Sequence, residues 1–195
     1  MKNSFFAMLS RMKLINRWGL MRNTQPENIA EHSFDTAVLA HALAVIKNKR
    51  FGGKIDVSRV AMVALYHDAS EIFTGDMPTP VKYFNPGIRN EYKEVEKASL
   101  KRLLSYLPDD MKDAYSDVMV PRPDEKELLQ IVKAADKLSA LIKCIEEDKA
   151  GNKEFRQAAA AQEKSLKEMN LPEVDCFLAE FLPAFSLTLD EQESD

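Results

Sequence analysis

Cysteine and histidine are scarce in this chain, which has two of the first and three of the second. Cys144 and Cys176 stand far apart, with no CxxC spacing and with apolar neighbours, which argues against a disulfide framework and against a thiolate zinc site. Two reduced, buried thiols in a cytoplasmic protein are the expectation. Three histidines are too few for a His-rich dinuclear metal centre. Basic residues are also outnumbered. A formal net charge of −4, with no long lysine or arginine run, argues against broad nucleic-acid binding but leaves room for a small phosphorylated substrate. No stretch approaches about 18 apolar residues, so no segment is expected to cross a membrane. Lys2 precedes an apolar run from Phe5 to Leu9, but Arg11 and Lys13 interrupt it short of signal-peptide length, and no small-residue cleavage site follows.

What is present suits one globular domain: 195 residues, 45% apolar and 30% charged, enough for an independent core. The apolar residues recur at helical rather than strand period. Phe5, Met8, Leu9, Met12 and Ile15 predict a first helix ending near Trp18-Gly19. Val38, Ala42, Val45 and Ile46 predict a second over about 33–49, and Val60, Val63, Ala64 and Tyr66 a third that runs into His67-Asp68. Thr74-Gly75-Asp76-Met77-Pro78-Thr79-Pro80 breaks the period, because two prolines exclude helix and stiffen an extended loop. Further helices are expected over about 88–106 and 124–148, then after Gly151 and after Pro172. The predicted class is all-α, without repeat or linker. Phe177, Phe181 and Phe185, at four-residue spacing, predict either late-helix packing or a dimer contact.

His67-Asp68, with His32 upstream and Asp136 downstream, offers the nitrogen and oxygen ligands that a hard or borderline divalent cation takes. Taken alone, a His-Asp pair is also a common surface or helix-end dipeptide. Glu71 follows His67 by four residues, about 400° of helical turn, so on a continuous helix it would share His67's face and act on a bound water without ligating the ion. His41 follows His32 by nine residues, about 900°, which puts the two on opposite faces of one helix and removes His41 from the set. Asp136 sits in the apolar stripe of Leu128, Val132 and Ala135. A carboxylate buried there needs a cation, unless it reaches solvent or pairs with Lys133 or Lys137.

Wider words surround these residues: Asn16-Arg17-Trp18, Glu31-His32-Ser33, His67-Asp68-Ala69-Ser70-Glu71, and Gly75-Asp76-Met77-Pro78-Thr79-Pro80-Val81-Lys82-Tyr83-Phe84. With Asp136 they resemble the HD-domain phosphohydrolases, and within them the bacterial 5′-deoxynucleotidases of the YfbR type, over almost the whole chain. Met77 stands where that family has leucine and Gly19 where it has proline; neither change removes a functional group. The resemblance implies one domain over residues 1–195 with an HD core over about 29–142, and a homodimer. It implies hydrolysis of deoxyribonucleoside 5′-monophosphates (dAMP, dGMP, dCMP, dTMP, dUMP) and exclusion of ribonucleotides. One divalent cation, such as cobalt, manganese or copper, would be held by His32, His67, Asp68 and Asp136. Glu71 would serve the proton transfers, and Arg17 would offer a planar fork to the phosphate. Trp18 would face the sugar. Asp76, Met77, Pro78 and Thr79 would form the opposite wall, Asp76 accepting from the 3′-hydroxyl, and Asp68 and Asp136 would also touch substrate. Another HD hydrolase, of guanosine tetraphosphate or cyclic dinucleotides, is disfavoured by the lack of a Gly-Tyr-Pro element. A non-catalytic helical module would have lost a ligand or Glu71, and all are present.

Overall fold

A computed structural model of the chain describes residues 3–82 and 84–193; Lys2 and Tyr83, both named above, lie outside the described residues. The helices are α1 (Phe5–Leu9), α2 (Ile29–Arg50), α3 (Val57–Leu65), α4 (Glu71–Thr74), α5 (Thr79–Lys82), α6 (Pro86–Leu104), α7 (Asp109–Met119), α8 (Lys126–Lys149), α9 (Arg156–Glu168), α10 (Pro172–Glu180) and α11 (Leu189–Gln192), with short 3-10 turns between some of them. Among the described residues there is no strand, only an isolated antiparallel bridge between Asn16 and Asn28. The all-α expectation is met.

Four boundaries depart from the periodicity, each for a local reason; one is that Thr79-Pro80, expected in an extended loop without helix, opens α5, where proline fits the first turn. The first helix gives way to a 3-10 turn that ends at Leu14, because Ile15 turns extended and its carbonyl accepts from Ile29 N–H at 2.9 Å. The second helix begins earlier than expected. Asn28 caps it by accepting from Ala30 and Glu31 N–H, while the Glu31 carboxylate accepts from Asn28 N–H. Such a capping box stabilises a helix by about 1 kcal/mol, and it fixes His32 in the first turn. The third helix stops at Leu65 rather than continuing through His67-Asp68. Glu71 therefore opens a new helix, and its position relative to His67 is set by the turn at 66–70 and not by four-residue helical spacing.

Two apolar clusters organise the molecule. One joins α2, α3, α8, α9 and α10 through residues such as Leu43, Val60, Ile131, Leu138 and Phe177. The other joins the N-terminal helix to α4, α6 and α7 through Phe5, Met12, Ala69, Ile72, Leu103 and Met119. Val63 and Ala64 belong to the first cluster and Ala69 and Ile72 to the second. His67-Asp68 thus sits on the turn where the chain crosses from one cluster to the other. Helix α2 is long and apolar enough to cross a membrane by length and composition alone, but half of that window is buried inside the protein. It packs on α3 and α8 as a core helix and carries His32 on its buried face. The Phe177, Phe181 and Phe185 stripe is not one helix. Phe177 is buried, Phe185 packs from a 3-10 turn, and Phe181 is partly exposed. Cys144 is buried and Cys176 only partly so; both are free.

Candidate active site

Helical register sets the first ligand candidate. His32 continues the buried stripe of Thr36, Leu39 and Leu43 on α2 and is fully buried, while His41 is exposed on the other side. Its Nδ1 faces Ser139 Oγ of α8 at 3.1 Å. With Nδ1–H donating there, the Nε2 lone pair points at Asp136 Oδ1, 3.1 Å away, and at Asp68 Oδ2, 3.6 Å away. His67 has the same arrangement. Its Nδ1 donates to the Ala64 carbonyl at 2.6 Å, and Nε2 lies 3.2 Å from Asp68 Oδ2. That Nε2 is buried and makes no aligned hydrogen bond. Ligand atoms of His32, His67 and Asp68 all lie within 4.8 Å of one another.

Two imidazoles oriented by their far nitrogens, with lone pairs turned toward two carboxylates, form a donor set that fits a divalent cation. Without a cation, a proton takes its place on His67 Nε2. Burial disfavours the charged His67 ring, yet Asp68 and Asp136 outweigh it and raise its pKa to about 9. Burial likewise works against a charged Asp68, but His67 beside it holds the carboxyl well below the usual range. Asp136, with a side chain 39% exposed, is less buried than its apolar stripe suggested, because it opens onto the adjoining pocket. It pairs with His32 and makes no ion pair with Lys133 or Lys137 among those described.

Glu71 lies close enough to this cluster for the Asp68 charge to act on it. It is buried, its Oε2 has no hydrogen-bond partner, and burial together with the charges of Asp68 and Asp76 raises its pKa to about 9. Burial and the neighbouring carboxylates thus favour its protonated form when no cation is present. Gly75 closes the short helix after it at φ +71° and ψ 167°, a backbone region that essentially only glycine occupies, and so starts the Asp76–Pro80 wall. Lys82, beyond that wall, is taken up by Glu96 at 2.9 Å.

A pocket of about 400 Å³ adjoins the cluster through Asp136. Arg17, Trp18 and Asp76–Pro80 line it. Asp76 is raised by burial, tempered by Arg17, and takes a backbone hydrogen bond from Trp18. Trp18 itself adopts φ +59°, rare for a bulky residue, and its ring packs on Phe155 at 5.2 Å. Lys137, Ala158 and Gln162 also line the pocket and were not anticipated. Gln162 Oε1 is buried without a partner. Only a tertiary structure brings α9 to this cavity, so nothing in local sequence marks these residues.

The model of the family described as 5′-deoxynucleotidase YfbR-like matches residues 4–185. The 5′-deoxynucleotidase YfbR of Salmonella typhi is 52% identical over 196 residues, covering 100% of this chain and 98% of the relative. Among solved structures, an HD-domain phosphohydrolase from Listeria innocua is similar at TM-score 0.81 and 27% identity, over 93% of this chain and 88% of that one. The cyanophage S-2L HD phosphohydrolase DatZ, bound to dA and one catalytic Zn2+ ion, shares the fold at TM-score 0.62 and 21% identity, over 92% of this chain and 95% of that one.

Proposed function

The chain belongs to the 5′-deoxynucleotidase YfbR-like family, and from that premise we propose that it hydrolyses deoxyribonucleoside 5′-monophosphates to deoxynucleoside and phosphate while rejecting ribonucleotides. The observation that carries this reading is the junction of the His32, His67, Asp68 and Asp136 cluster with a pocket walled by Arg17 and Trp18. The four clustered residues would hold one divalent cation, cobalt, manganese or copper. When bound, such an ion supplies Lewis-acid neutralisation of phosphoryl charge and a water of lowered pKa.

The remaining steps belong to the chain's own groups. Arg17 presents a planar, permanently charged fork to the phosphate. Glu71, whose burial favours the protonated form, would donate its proton to the 5′-oxygen as the P–O bond breaks and take one back from the attacking water. Asp76 accepts from the 3′-hydroxyl, with Met77, Pro78 and Thr79 beside it. Trp18 faces the 2′-carbon. An apolar wall alone rejects an added hydroxyl by only about a hundredfold, so stricter exclusion needs a wall that does not yield. Trp18 meets that need, held by Phe155 and by Glu27, whose carboxylate accepts from the indole N–H at 2.8 Å. The base sits toward the mouth, where the lining is mixed and several bases fit. The same reading takes residues 29–142 as the HD core, and the protein as a cytoplasmic homodimer.

Phosphate release from dAMP and AMP tests the selectivity. AMP is expected to react at least about a hundredfold more slowly; equal rates would overturn the sugar assignment.

A further inference from the structure

We propose that Glu27 is a positioning residue that sets the phosphate fork and the sugar wall together, a role that rests on the 5′-deoxynucleotidase reading above. Glu27 is 8% exposed and is neither a ligand candidate nor part of the pocket lining. One of its oxygens, Oε2, accepts from both Arg17 Nη1 at 3.1 Å and Trp18 Nε1 at 2.8 Å. Its backbone carbonyl accepts from Arg17 N–H at 2.8 Å, extending the bridge between Asn16 and Asn28.

The two side chains need this anchor for different reasons. The indole N–H is a donor only, so half-buried it requires an acceptor, and the ring must stay put on a backbone at φ +59°. The Arg17 charge acts on Asp68 and Asp76 as well as on Glu27. Without Glu27 those carboxylates compete for the guanidinium and draw it off the phosphate position. Because one oxygen serves both donors, charge and reach become separable requirements. Arg17 needs the charge; Trp18 needs only an acceptor at the right distance.

Two conservative variants separate them. Glu27→Gln keeps the reach and an acceptor for the indole but loses the charge. It should lower kcat/KM for dAMP by about tenfold or more, while keeping the dAMP/AMP ratio and the emission of Trp18, the only tryptophan. Glu27→Asp keeps the charge but is one methylene short. It should lower the dAMP/AMP ratio and shift Trp18 emission to the red. Thermal melts monitor folding; should Glu27→Asp fail to fold, the split between kcat/KM and retained discrimination in Glu27→Gln still decides. Wild-type kinetics and emission in both variants would overturn the proposal. So would an equal loss of activity in both with ratio and emission unchanged, the mark of a merely structural role. Should the wild type fail to distinguish dAMP from AMP, the parent reading fails instead, and the emission comparison still tests the anchor.

Discussion

Glu71 sets chemistry against stability within one side chain. Its folded pKa of about 9 lies above the ordinary carboxyl value of 4.5, so the folded chain keeps a proton that the unfolded chain releases. Across that window the unfolded state binds fewer protons, and stability falls as pH rises. In metal-free protein, Glu71→Gln is therefore expected to raise stability at pH 8 by on the order of 1–3 kcal/mol and to change little at pH 4. The same variant should lose phosphate release by about 10²–10⁴-fold. Denaturant melts at the two pH values check the first outcome, and lower stability at both would contradict it. Trp18→Ala is expected to gain AMP hydrolysis while retaining dAMP turnover, measured as phosphate from each; no gain would remove the steric account. Residue types at helical register made the ligand candidates legible: His32 and Asp136 interrupt apolar stripes, and polar residues there call for partners. Glu27 and Gln162 carried no such mark. Glu27 meets Arg17 and Trp18 across a loop, Gln162 reaches the pocket from α9, and an exposed-looking Glu or Gln in sequence is unremarked.

Among the elements, the segment from Ile15 to Asn28 decides whether the pocket keeps its shape. It has no helix of its own, so α8 holds it. The Glu147 carboxylate accepts from Thr24 N–H at 2.9 Å, Thr24 Oγ1 at 2.7 Å and Asn152 Nδ2 at 2.7 Å, and it pairs with buried Lys143, whose ammonium also donates to the Gln25 carbonyl. These partners hold its pKa well below the carboxylate range against the effect of burial. Glu147→Ala leaves Lys143 buried without its carboxylate and is expected to cost about 3–5 kcal/mol, with a lowered dAMP kcat/KM as Arg17 and Trp18 lose their frame. An unchanged Tm would contradict this. Periodicity revealed α2 and α8 because both bury a continuous stripe. It overran α3, because Tyr66 and His67 extend the apparent stripe although Ala69 is drawn into the second cluster and turns the chain.

At the scale of the whole molecule, the ligand candidates tie the packed helices of the first cluster to the turn that leads into the second. His32 comes from α2, His67 and Asp68 from the turn between the clusters, and Asp136 from α8. An ion that binds only the folded arrangement stabilises it by mass action, about 2.7 kcal/mol at a hundredfold excess over Kd. Adding a divalent metal to chelated protein should therefore raise Tm, and Asp68→Ala or Asp136→Ala should abolish that rise along with metal-dependent phosphate release. The all-α class was legible because nearly every apolar residue keeps helical period, whereas the two-cluster division was not, since it depends on which helices meet. The most direct test of the central claim is phosphate release from a panel of dNMPs and NMPs by chelated protein, with cobalt, manganese and copper added back singly. Metal-dependent release from the dNMPs, with the NMPs left intact, is the predicted result; no release in any well, or full release under chelation, would contradict the account.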